Sequence, residues 1–195
     1  MIFYVAHDSA GKIQQSGCAP STNEIPPFVG LTVLQVDMML DPAGAYVADG
    51  RCVALPQRPS PHHDWDWPSK TWQPNVAHAI AARKAEVEAE RERRNRLPID
   101  HAGARFDADE TAQRNISAWQ TQMGAGAVLP AGFMWRDYDN IDHPADAAFI
   151  NGLGAAITLR GTLLYQASWQ HKAALDALSS VEAILIYDLT AGWPA

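Results

Sequence analysis

The chain has 195 residues, 47% of them apolar and 19% charged, with a formal net charge of −7. That balance excludes a disordered polymer and allows one domain or two small ones, each half burying less of its surface than a single domain would. Net acidity repels phosphate backbones, so nucleic acid is not an expected ligand. Cys18 and Cys52 are too few for a disulfide scaffold; they read as buried thiols, with one bridge between strands as the alternative.

Met1–Asp8 has no basic stretch ahead of its apolar run, so it is not read as a signal peptide. No apolar stretch is read as approaching the roughly 20 residues that span a bilayer. The expectation is a chain made in the cytoplasm that meets no membrane.

The elements predict an α+β protein. Residues 1–55 form a small β unit. Ile2–Ala6 and Lys12–Ser16 are extended candidates around a turn at Asp8-Ser9-Ala10-Gly11, and Leu31–Asp37 is a third. The strongest local signal is Asp49-Gly50 inside Ala45–Leu55. Asp-Gly supplies the two positive-φ residues of a type I′ turn, which sets Tyr46 against Val53 and Val47 against Cys52.

Residues 56–74 change character. Pro56, Pro59, Pro61, Pro68 and Pro74 remove backbone donors and exclude a helix and most central strands. Trp65, Trp67 and Trp72 share the segment, and a solvated linker would leave that aromatic surface unused. The rings are expected to cover the β unit or to meet a partner. A linker and domain boundary are predicted here.

Residues 75–97 predict a connecting helix, with Asn75 as N-cap and Leu97-Pro98 as stop. Its apolar face is thin (Val76, Ile80, Val87) and its second half alternates acid and base. Glu90 precedes Arg94, and Glu92 precedes Arg96, by the four residues that favour pairing. Such a helix reads as a solvated spacer or a narrow coiled coil between two modules. Its arginines read as self-paired and not as a nucleic-acid stripe.

Residues 98–195 predict a mainly α-helical domain. Asp107 with Glu110 reads as a capping-box start, and Ala112, Ile116, Trp119 and Met123 form one stripe ended by Gly124. The twenty or so residues that follow, with Phe133, Trp135 and Tyr138, are long enough to hold a short hairpin. A second helix is predicted from about Ala145 to Leu178, with the stripe Ile150, Leu153, Ile157, Leu164, Ser168, His171, Leu175 and Leu178. Gly152, Gly154 and Gly161 imply close packing or a break near Gly161. Val181–Tyr187 is left open between helix and strand.

No catalytic, cofactor or metal site is nominated. His62-His63-Asp64-Trp65-Asp66 holds ligand-type residues, but neighbours in an extended segment point to opposite faces. Asp137–His143 opens like a calcium loop, yet Asp142 and Ala148 stand where that loop needs glycine and glutamate. Gly152-Leu153-Gly154 is half a dinucleotide fingerprint set inside a helix pattern. His171 on the long helix reads as packed or partner-facing. Tyr46, Trp65, Trp67, Trp72, Trp135 and Tyr138 are the candidate partner contacts.

The C-terminal half carries Arg93-Arg94-Asn95-Arg96-Leu97, Ala104–Ile116, Trp135–Asn140, His171–Leu178 and Tyr187–Pro194. In these it resembles a family of uncharacterised phage and prophage domains found beside or fused to tail-fibre genes. The N-terminal half, with its hairpin at Tyr46–Val53 and segment Trp65–Trp72, is loosely similar to tail-fibre assembly proteins. The resemblance implies a non-enzymatic structural protein of the virion tail, acting by contacts with tail-fibre or baseplate proteins. A tail-fibre assembly chaperone is the first alternative and a cell-envelope hydrolase the second. Tail symmetry implies a homo-oligomer, a trimer fitting it.

Overall fold

The computed structural model describes residues 1–194. The chain is α+β as expected and divides into two compact parts, an all-β Met1–Asn75 and an α+β Val76–Ala195.

In the N-terminal unit β1 (Ile2–His7) lies between β2 (Ile13–Ala19) and β3 (Thr32–Val36), antiparallel to both. Val5 of the central strand packs with Ile13, Ala45 and Val47 as a small core. β4 (Ala45–Ala48) and β5 (Arg51–Ala54) pair in the expected register, Tyr46 on Val53 and Val47 on Cys52. Asp49 and Gly50 turn the chain with φ of 49° and 71°, as the type I′ geometry requires. Gly11, at φ 79°, accepts at its carbonyl from Val47 N at 2.8 Å; a Cβ there would strike the Val47 carbonyl.

The expected linker is corrected. β6 (His63–Asp66) and β7 (Thr71–Pro74) form a hairpin within the N-terminal unit, so the division falls after Asn75. The prolines permit it because Pro56, Pro59 and Pro61 precede the strands, Pro68 lies in the turn and Pro74 ends β7. In a two-stranded ribbon both strands are edges, where a missing donor costs no ladder bond. The cysteines are free, and Cys18 is exposed where a buried thiol was expected: it lies on β2, an edge of the sheet.

The C-terminal unit opens with α1 (Val76–Asn95), then the hairpin β8 (Ile99–His101) and β9 (Ala104–Phe106). α2 (Glu110–Gly124) follows, then the hairpin β10 (Met134–Arg136) and β11 (Asp142–Pro144) within the predicted long loop. α3 (Ala147–Asp176) and the short α4 (Val181–Leu185) complete it, so the open segment is a helix. The N-cap of α2 is Asp109, which accepts from Ala112 N at 2.8 Å, and not Asp107.

α1 is not a spacer. Ala79 and Val87 are fully buried against Leu175, Val181 and Ile184, and Lys84 and Glu88 pair with Asp176 and Lys172 of α3. Its alanines let the neighbouring helix come close, so a thin apolar face is enough. A second core gathers Phe106, Ile116, Ile150, Leu153 and Ile157 where α2 and both hairpins meet α3. α3 therefore runs through both cores, and its buried residues reproduce the predicted stripe from Ile150 to Leu175.

No break occurs at Gly161. A Cβ there would stand 3.5 Å from Asn95 Oδ1, an ordinary contact, whereas Gly154 lies tight against Gln120 and Ile116. Arg160 donates to the carbonyls of Asn95 (2.8 Å) and Leu97 (2.6 Å) and so satisfies the C-terminal end of α1. By length and composition alone α3 is long and apolar enough to cross a membrane, where the sequence reading found no such stretch.

Candidate functional site

In the N-terminal unit four predicted contact residues come together. Trp65 and Trp72 are directly opposed across β6 and β7, their centroids 5.3 Å apart and edge to face. Tyr46 lies 5.3 Å from Trp65, and Trp67 6.3 Å from it. Lys70, bonded to the Ala10 carbonyl, stands over Tyr46 and Trp67, and Arg58 over Trp72. Trp72 Nε1 donates to the Pro56 carbonyl at 2.9 Å. Of the two roles expected for the rings, this cluster performs the first: half-buried, it joins the β4–β5 hairpin to the β6–β7 hairpin. His63 of the same strand bonds Ser60 at 2.9 Å, and Asp64 bonds Asn75 at 2.6 Å.

The other two, Trp135 and Tyr138, belong to the C-terminal unit and part company. Trp135 packs toward Phe133, 6.3 Å away, at the edge of the core. Tyr138 faces outward with Arg105 5.6 Å from its ring. Between them the loop that resembles a calcium site closes on itself. Asp137 is buried and accepts from the backbone of Asp139 (2.9 Å) and Ile141 (2.8 Å) and from His143 (2.7 Å). The bond from the Ile141 backbone, aided by His143, holds its carboxyl below the ordinary range against the pull of burial. Asp142 is taken by Arg136 at 2.8 and 3.1 Å. Among the described residues no three His, Cys, Asp or Glu side chains converge as metal ligands do.

His171 is buried, bonded to Tyr187 Oη at 3.0 Å and tilted over Trp193 at 4.9 Å; it is a packed histidine. The arginines of α1 are self-paired as expected, Arg94 with Glu90 at 2.6 Å and Arg93 with Glu90 at 2.7 Å. Arg96 departs from expectation: it lies past the end of α1 and pairs with Glu110 of α2 at 2.8 Å.

The feature that sequence reading missed is an apolar cleft of about 630 Å³ at the end of α2. Met123, Val128, Leu129 and Phe133 line one side, and Pro144 to Ala147, leading into α3, line the other. Phe133 is braced edge-on by Trp119, 5.1 Å away, and Val128 stands at the rim, 88% exposed. The carboxylate in the lining, Asp146, is committed to capping α3 through Phe149 N at 2.8 Å. What such a cavity offers is burial of apolar groups, in a size suited to one or two side chains or a small ligand. The only sequence signal was Met123 and Phe133, placed on different elements.

A family model described as a domain of unknown function, DUF4376, matches residues 78–191, more than half of the chain. The protein belongs to the DUF4376 family. The match coincides with the C-terminal unit from α1 onward, so α1 is part of the DUF4376 domain and the tryptophan cluster lies outside it. No curated protein and no solved structure matches the chain.

Proposed function

We propose that this DUF4376 protein is a structural component of a tailed-phage tail, at the fibre base or tail tip, working by docking onto fibre or baseplate proteins. The observation that carries the docking part is the cleft between α2 and α3, apolar along both walls, with its acidic group already used as a helix cap. The virion part rests on the resemblance of residues 93–97, 104–116, 135–140, 171–178 and 187–194 to tail-fibre-associated domains. Together they favour recognition over catalysis: a partner inserts apolar side chains beside Met123 and Phe133, and Asp146 adds no reactive group.

The test is twofold. Purified tails of a phage carrying the gene, analysed by mass spectrometry, are expected to contain the protein. The neighbouring fibre protein is expected to co-purify with it, and Val128→Glu, which charges the rim, is expected to weaken that capture at least tenfold. Tails lacking the protein would overturn the structural role. If co-expression then rescued soluble fibre, the assembly-chaperone reading would replace it.

A further inference from the structure

α3 has a second face. Opposite the residues it buries, Ala155, Leu159, Thr162, Gln166, Trp169 and Ala173 are exposed, and none carries a charge; Tyr165, at the edge beside α1, lies under the Arg91 guanidinium at 4.1 Å. Leu159 is 60% and Trp169 61% exposed. The ionisable groups of α3 turn to their own unit instead: Arg160 to the end of α1, Lys172 to Glu88, Asp176 to Lys84, and His171 to Tyr187. Even the hydroxyls withdraw, since Thr158 donates to the Gly154 carbonyl and Thr162 to the Thr158 carbonyl, at 2.9 Å each. An uncharged face that leaves Leu159 and Trp169 in water gains from a covering surface.

The order of residues on that face says what covers it. Ala155, Leu159, Thr162, Gln166, Trp169 and Ala173 recur in alternating steps of four and three, the spacing of a coiled-coil seam. Reversed about Leu164, the row reads the same in character. Ala155 falls on Ala173, Leu159 on Trp169 and Thr162 on Gln166. Small meets small, large meets large, and amide meets hydroxyl. A row that matches its own reversal is self-complementary under a two-fold axis.

We propose that two copies of this chain pair through α3, antiparallel, about a two-fold axis at Leu164. The absence of charge agrees with this occupant. On a chain of net charge −7 this strip is where two copies meet without opposing like charges. From Ala155 to Ala173 it is about 27 Å long at 1.5 Å per residue. Leu159, Leu163 and Trp169 keep 60, 39 and 61% of their surface exposed on each copy, which together is the several hundred Å² of a small, weak interface. The pair is thus a reversible dimer whose mass follows concentration, two-fold where tail symmetry alone implied three-fold.

Sedimentation velocity and light scattering on the full chain, from about 1 µM to about 100 µM, are expected to show the mass rising from one chain to two. Two double variants at exposed positions fix the geometry, with circular dichroism and a melt confirming that each still folds. Thr162→Glu with Gln166→Glu sets carboxylates against carboxylates across the axis and is expected to weaken pairing at least tenfold. Thr162→Glu with Gln166→Lys sets each new carboxylate against the other copy's new ammonium and is expected to keep or tighten it. Dissociation by both variants would mean that position 162 faces itself in a parallel arrangement, and would overturn the proposal. So would a monomer at every concentration, a three-chain mass, or a monomer that floats with phosphatidylcholine vesicles through Trp169.

Discussion

α1 and α3 lie against one another in the DUF4376 unit, and both bury one stripe, yet they treat solvent in opposite ways. On the outer face of α1 Glu90 pairs with both Arg93 and Arg94, while Glu88 and Arg91 turn in to Lys172 and Tyr165 of α3. The outer face of α3 shows leucines and aromatic rings and no charge. Both faces are polar-balanced within themselves, one by pairing its charges and the other by having none. The charged face gains nothing from a partner, because each exposed pair contributes little and stays hydrated. The uncharged face leaves apolar area in water, where only a covering surface recovers it. The difference between them is where an interaction surface shows itself.

The largest expected effect sets the two sides of α3 against each other. Leu164→Ala removes a side chain buried to 1% exposure and is expected to destabilise by about 2–5 kcal/mol. Leu159→Ala, on the outer side, is expected to stay within about 0.5 kcal/mol of the parent at concentrations where the chain is monomeric. Urea titration reads both, and equal losses would break the two-sided description. Next comes the tie between the helices. Arg160→Met leaves the carbonyls of Asn95 and Leu97 without their guanidinium, and the expected loss is about 1–3 kcal/mol. Amide exchange over the last turn of α1 should rise with it.

The glycines of α3 sharpen the comparison further. Gly154→Ala puts a Cβ 3.0 Å from Ile116 Cγ2, an overpacking expected to cost about 1–3 kcal/mol. Gly161→Ala meets only ordinary contact and is expected to gain up to about 1 kcal/mol from helix propensity. Opposite signs in two thermal melts would be the result. The smallest effect lies on α1. Bonds from Arg93 and Arg94 hold the Glu90 carboxyl down to about 2 from 4.5. A folded pKa below the unfolded one stabilises above pH 4.5, and that contribution fades as pH falls toward 2. Glu90→Gln is expected to cost about 0.2–1 kcal/mol at neutral pH and to flatten the slope of stability against pH across that interval.

The particular successes and failures of sequence reading follow from the range of the interactions involved. The hairpin at Asp49-Gly50 was legible to the register, because two adjacent residues dictate its φ values. The stripe of α3 was legible because burial repeats with the helical turn. The β6–β7 hairpin was not, since prolines argue against strands until their positions outside the ladder are known. The cap at Asp109 was missed by two residues, since Asp107 offers the same chemistry and only the path of the chain after β9 chooses. Of the six predicted contact residues, four form one cluster that rings the hairpins together, and none lines the cleft.

Local chemistry, then, determined by itself the α+β class, the turn at Asp49-Gly50, the helical stripes and the self-paired arginines of α1. Tertiary structure alone decided that α1 belongs with the C-terminal unit, that Met123 and Phe133 face one cleft, and which side of α3 is left uncovered. The reason is physical: φ preferences and periodic burial act between residues a turn apart and are written in neighbouring letters. Whether an alanine-lined helix finds a close neighbour, or a leucine finds none, depends on surfaces that meet only after the chain has folded.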